Sequence, residues 1–163
     1  MTLYQLETRV QLPRPRAEVF QFFADAANLQ VLTPDWLSFD IMTPLPFEMR
    51  QGALIDYRLR LHGIPVRWKT QITIWEPPYR FVDEQLKGPY RQWVHEHTFE
   101  GVDGTSTLVG DRVRYAVPFG ALANWLLVER DVRKIFAFRH RKLGEIFGGQ
   151  EGAAEVRVER VRG

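Results

Sequence analysis

Two imidazoles, a carboxylate and a guanidinium are the groups in this 163-residue chain whose types and spacing could do chemistry. The stretch Arg91-Gln92-Trp93-Val94-His95-Glu96-His97-Thr98-Phe99 alternates as a strand does, so Trp93, His95, His97 and Phe99 point the same way. Trp93 and Phe99 mark that face as the covered one, with Val94 a contrary residue on the other. Further on, Val109, Asp111, Val113 and Tyr115 share a face, which places a carboxylate on an apolar side. A reversal near Asp103-Gly104 brings the two faces together. A three-residue loop, Val102 to Gly104, sets Asp111 opposite His95, and a five-residue loop sets it opposite His97. A two-residue loop would put it on the far side of the sheet. In the C-terminal region Trp125, Val128, Val132, Ile135, Phe136, Leu143 and Ile146 fall on one helical stripe, and Arg139 lies within it.

A histidine paired with Asp111 can take a proton from a carbon beside a carbonyl, with Arg139 stabilising the enolate. The same four groups can instead hold a hydroxyl, carbonyl or carboxylate of a bound molecule, or serve as structural ion pairs. Two histidines and an aspartate are also a facial set for iron. No third histidine or second carboxylate aligns with them in the sequence, so neither a metal nor a cofactor is assigned. His62 sits in a turn and His140 near the edge of the helical stripe, and neither takes a role. No Ser-His-Asp pattern, phosphate loop, dinucleotide fingerprint or zinc spacing is present.

The elements that must position these groups follow from the alternation and the breaks. Tyr4, Leu6, Thr8, Val10 and Leu12 read as a half-buried strand ended by Pro13 and Pro15. Val19, Phe20, Phe22 and Phe23 cluster as in a helix from Arg16 to Ala24, and a second short helix is expected from Ala26 to Leu32, before Thr33-Pro34. Strand signals then dominate. Phe39 to Met42 is short. Ile55, Tyr57, Leu59 and Leu61 share a face, as do Val66, Trp68, Thr70, Ile72 and Ile74, with a turn at His62-Gly63-Ile64-Pro65. Three more strands are expected, from about Tyr79 to Leu86, Arg91 to Glu100 and Thr107 to Val117. Phe119 to Phe147 holds no proline and reads as one long helix ended by Gly148-Gly149. Runs of strands followed by a helix argue an α+β domain, residues 1–148, with a curved antiparallel sheet of about seven strands around that helix. One helix fills only part of such a concavity, so a space lined by bulky aromatics is expected. Residues 149–163 form a charged tail, read as disordered or, on the alternation of Val156 and Val158, as one further strand.

Composition narrows the partners. Aromatic residues make up 13% of the chain, among them five Trp and eleven Phe, and these must line a bulky core or a cavity. The net charge of +2 gives no electrostatic case for nucleic acid. There is no cysteine, which fits a reducing compartment. No apolar run approaches the ~20 residues of a membrane span. The start Met1-Thr2-Leu3-Tyr4-Gln5 lacks the layout of a signal peptide. The expectation is therefore a cytoplasmic protein with an apolar small molecule as its partner. Oligomeric state is not legible.

Four segments carry a resemblance. They are Gly63-Ile64-Pro65-Val66-Arg67-Trp68, Trp75-Glu76-Pro77-Pro78-Tyr79-Arg80-Phe81-Val82-Asp83, Gly88-Pro89-Tyr90-Arg91 running into Gln92 to Phe99, and Asp111-Arg112-Val113-Arg114-Tyr115-Ala116-Val117-Pro118. With Ile135-Phe136-Ala137-Phe138-Arg139-His140 they resemble a bacterial group of the START/Bet v 1-like superfamily, which includes polyketide cyclase/dehydrase proteins. The resemblance spans roughly residues 3 to 147. It implies the helix-grip fold and a ligand, lipid-, sterol- or polyketide-like, between the sheet and the long helix. On that reading Tyr57, Trp68, Trp93 and Phe99 give apolar contact, and His95, His97, Asp111 and Arg139 orient the polar end. The alternative it implies is a cyclase/dehydratase in which those last four residues are catalytic.

Overall fold

The computed structural model describes residues 1–149 and 155–162, except for the side chain of Trp125, which the sequence placed on the helical stripe. The half-buried alternation of the first segment gives β1 (Leu3–Leu12), in which Tyr4, Leu6, Thr8 and Leu12 are buried. The later alternating segments give β2 (Asp40–Ile41), β3 (Leu54–Leu61), β4 (Ile64–Glu76), β5 (Arg80–Lys87), β6 (Gln92–Val102) and β7 (Ser106–Ala116). An eighth strand, β8 (Arg157–Val161), lies in the stretch read as a tail and sets Val158 opposite Leu6 of β1. Residues 150–154 of that stretch lie outside the described residues. The strands form one curved antiparallel sheet in the order β2-β3-β4-β5-β6-β7-β1-β8.

Two local departures re-aim side chains. The β3–β4 turn is shorter than the sequence suggested, because His62 and Gly63 both take positive φ (49° and 79°) and make a two-residue hairpin. Ile64 and Pro65 are thereby the start of β4. A bulge between Ile72 and Ile74 then shifts the alternation. After it Trp75, not Ile74, turns inward and packs on Phe20 and Phe81.

Helix α1 (Arg16–Ala24) begins after Pro15 and buries Val19, Phe20 and Phe23. The expected second helix is a single turn, α2 (Asn28–Val31), followed by a 3-10 turn at Asp35–Leu37. The long C-terminal segment is α3 (Gly120–Ala123), a π-helical turn (Asn124–Val128) and α4 (Glu129–Phe147). Helix α4 turns Val132, Phe136, Arg139, Leu143 and Phe147 inward. Ile146, expected on the stripe, is 40% exposed, and Phe147 takes the buried place. Gly148 ends the helix at φ 80°, with its N–H on the Gly144 carbonyl.

The core divides in two. Leu12, Phe20, Phe23, Ile55, Ile72, Phe81, Phe99 and Leu143 belong to one cluster, under α1 and the end of α4. Tyr4, Leu6, Val113, Tyr115, Val132 and Phe136 belong to the other. The outer face of the sheet is polar, with Glu7, Arg112, Glu96, Arg80 and Glu76 linked by ion pairs across five strands.

Candidate ligand-binding site

Register decides which polar groups meet on the concave face. The β6–β7 loop is Asp103–Thr105, since Val102 pairs with Ser106. It is a three-residue loop, but it starts one position later than the loop that would face Asp111 to His95, so Asp111 lies directly across from His97. On the other side β5 sets Asp83 across from His95 and Phe81 across from His97. Two rows therefore cross the sheet: Phe81, His97, Asp111 and Thr8 in one, and Asp83, His95, Val113 and Leu6 in the other.

Within this grid the strongest contacts run diagonally. His95 Nε2 lies 2.7 Å from Asp111 Oδ1, although their backbones are not direct partners. His97 Nε2 lies 2.7 Å from Asp83 Oδ2. The two imidazole centroids are 3.7 Å apart, and Phe81 stacks on His97 at 4.1 Å. From the helix, Arg139 Nε donates to Asp111 Oδ2 at 3.3 Å, and its Nη2 is 3.2 Å from Asp111 Oδ1 and 3.1 Å from His97 Nδ1.

These contacts assign the protons. A guanidinium only donates, so His97 Nδ1 accepts from Arg139, and the ring proton sits on Nε2, donated to Asp83. Burial pushes the Asp111 carboxyl upward, but Arg139 and the two imidazoles outweigh it and hold the group well below the usual carboxylate range. Asp83 is likewise lowered, with the His97 hydrogen bond and nearby positive charge overcoming burial. Burial and then the neighbouring His97 lower the pKa of His95, despite Asp111. His95 thus stays neutral, donates Nε2–H to Asp111, and carries a lone pair on Nδ1. That nitrogen has no hydrogen-bond partner among the described residues, and Asp83 Oδ2 stands 3.8 Å away.

A cavity of about 160 Å³ opens beside this cluster, lined by Tyr57, Trp68, Trp93, His95, His97 and Arg139 of the expected residues. Burial, with Asp83 and Asp56 nearby, raises the Tyr57 phenol well above its ordinary value, so it remains a donor. Trp68 and Trp93 meet edge to face at 5.4 Å and form one wall. Two expected contacts need correction. Phe99 points to the predicted side but is capped by Phe20 and Phe23 of α1 at 5.1 and 5.0 Å, so it belongs to the core and does not line the cavity. Asp111 stands behind the imidazoles, 4% exposed, and does not line the cavity.

Sequence reasoning missed Asp83, Phe136, Ile135 and Tyr90, all in the cavity wall. Asp83 was findable: Phe81 and Asp83 alternate on one face of a recognised strand, so the carboxylate shares its side with a large aromatic. It is also the second carboxylate that the sequence reading found lacking. Asp83, His95 and His97 each offer a donor atom within 4.8 Å of the others.

The family described as "Polyketide cyclase / dehydrase and lipid transport" matches residues 12–140. No curated protein matches the chain. Among solved structures, the Zhui aromatase/cyclase from Streptomyces sp. R1128 is similar at a TM-score of 0.68 and 16% identity, over 88% of this chain and 93% of that one. Ginseng major latex-like protein 151 from Panax ginseng is similar at 0.66 and 10%, over 90% and 99%. Protein Ms6760 from Mycobacterium smegmatis is similar at 0.63 and 17%, over 87% and 89%. At such identities the likeness speaks for the fold, which is the helix-grip arrangement of sheet and long helix. No helix is long and apolar enough to cross a membrane among the described residues. On the family match, which covers most of its length, the chain belongs to the polyketide cyclase/dehydrase and lipid transport family.

Proposed function

We propose that the protein binds a mostly apolar small molecule, lipid-, sterol- or polyketide-like, that carries one polar group. The observation that carries this reading is a single apolar cavity wall ending in a buried polar cluster, with the His95 Nδ1 lone pair unpartnered beside it. Leu59, Trp68, Trp93 and Phe136 supply apolar contact, worth roughly 25 cal/mol for each Å² removed from water. His95, Asp83 and Tyr57 orient a hydroxyl or carbonyl. A cavity of about 160 Å³ suits roughly one aromatic ring, so a larger ligand has to part the sheet and helix α4.

One observation favours a second reading, an enzyme of the cyclase/dehydratase type. The Asp111–His95 pair has the geometry of an oriented base, with Nε2–H fixed on the carboxylate and Nδ1 free. Nδ1 would accept a proton from the carbon next to a ligand carbonyl. The electron pair of that C–H bond would move onto the carbonyl oxygen, where Arg139 could balance it.

Native mass spectrometry of freshly purified protein tests the binding reading first, with a co-purifying small molecule as the expected result. His95→Phe and His97→Phe are then measured separately for affinity and turnover of that molecule. Loss of affinity with no turnover in the parent supports the binder. Turnover in the parent that His95→Phe abolishes, with affinity kept, supports the enzyme. Affinity untouched by either change, with no turnover, removes both histidines from the function.

A further inference from the structure

We propose that Asp83, His95 and His97 bind one divalent first-row transition-metal ion at the polar end of the cavity. The donors are in place. Asp83 Oδ2 is 2.7 Å from His97 Nε2 and 3.8 Å from His95 Nδ1, and the three donor atoms lie within 4.8 Å of one another. Metal–ligand bonds of about 2.0–2.2 Å set donors on the order of 3–3.5 Å apart. The 2.7 Å pair must therefore open and the 3.8 Å pair close, each by less than ~1 Å, and the two imidazole nitrogens, within 4.8 Å of each other, close by at most about 2 Å.

The surroundings match what a metal needs from its second layer. Metal-bound imidazoles turn their far nitrogen to a carboxylate, which fixes the ring and raises its basicity. Here one buried carboxylate serves both rings: Asp111 Oδ1 is 2.7 Å from His95 Nε2 and 3.4 Å from His97 Nδ1. Arg139 in turn holds Asp111. Charge argues the same way. Two carboxylates accept N–H donors in this buried cluster, and Arg139 balances one of them; a bound cation balances the other. Two imidazoles and a carboxylate suit zinc, cobalt, nickel or iron better than magnesium or calcium. Three protein donors leave coordination positions facing the cavity, where a water or a polar ligand atom completes the shell.

Binding asks for one rearrangement. The proton on His97 moves from Nε2 to Nδ1, with no net release, and Nδ1–H then donates to Asp111. Arg139 keeps its two contacts with Asp111 and gives up His97. The proposal goes beyond the apolar-ligand reading and does not rest on it. With an ion in place His95 Nδ1 is a ligand atom and no longer a proton acceptor.

The test uses the whole chain, stripped of metal and titrated with Co²⁺ alone. The expected result is one Co²⁺ per chain, with visible d–d absorption that Zn²⁺ displaces. His62→Asn combined with His140→Gln leaves His95 and His97 as the remaining histidines and keeps the band. Asp83→Asn abolishes it, and Asp111→Asn weakens binding by roughly 10–100-fold. Circular dichroism checks that each variant is folded. Should a variant fail to fold, proton NMR of the unmodified protein decides, since bound Co²⁺ must shift the ring protons of His95 and His97. No band at millimolar Co²⁺, unshifted rings, or a band lost with His62 and His140 overturns the site. The small-molecule test is read on metal-free protein, so the two readings fail separately.

Discussion

Asp111 is the residue on which the buried cluster turns. It accepts from His95 and Arg139 with 4% of its surface exposed, so its charge is spent inside the protein. Asp111→Asn keeps the shape but leaves the Arg139 guanidinium, 7% exposed, without its counter-charge. Removing one member of a buried pair typically costs about 3–5 kcal/mol, because the other charge is stranded. Urea denaturation should show a loss of that order for Asp111→Asn. The double change Asp111→Asn with Arg139→Met should recover part of it. A loss under about 1 kcal/mol in the single variant would mean that water reaches Arg139.

Elements control access. The β3–β4 hairpin reaches helix α4 through His62 Nε2, 2.7 Å from Asp131 Oδ2. Each partner has a cavity-lining neighbour in its own element, Leu61 beside His62 and Ile135 one turn after Asp131, so the contact closes one edge of the cavity. His62 is half exposed, so water screens the pair and it contributes little to stability, although Asp131 is 14% exposed. His62→Asn shortens the side chain while keeping a residue that tolerates the positive φ of this turn. Stopped-flow exchange of a bound apolar fluorophore should accelerate in that variant, at an unchanged melting temperature. Unchanged exchange would place the entry elsewhere. The π-helical turn at Asn124–Val128 marks where the long C-terminal segment loses the regular pattern that the sequence suggested.

At the scale of the molecule, the buried cluster makes folding sensitive to acid. The pKa values of Asp83, Asp111 and His95 are all lowered in the fold, so the unfolded chain binds more protons and stability rises with pH. The His95 contribution is present above its unfolded value and is lost as pH falls below about 6.5. The carboxylate contributions persist to lower pH and are lost as it falls below about 4. Urea midpoints of metal-free protein should decline from pH 8 to pH 5 and again below pH 4. His95→Gln should flatten the first decline, and a midpoint that rises on going from pH 8 to pH 5 would contradict the arrangement.

The amino-acid sequence by itself determined the faces. Period-two alternation through Trp93, His95, His97, Asp111 and Tyr115, and helical spacing through Arg139, are local properties, so they stated which side chains share a side before any fold was known. Their family likeness was equally legible, because it lies in short ordered segments. What needed the tertiary structure was register and coverage. The sequence left Asp111 opposite either His95 or His97; the position of the Asp103–Thr105 loop set it opposite His97, and the bonds then formed diagonally. Asp83 entered because β5 docks on β6 at that level, a pairing set by the whole sheet. Phe99 was lost to the core because α1 lies over its end of the strand. Pairing and coverage depend on residues far apart in the chain, and no local pattern encodes how far one strand slides along another.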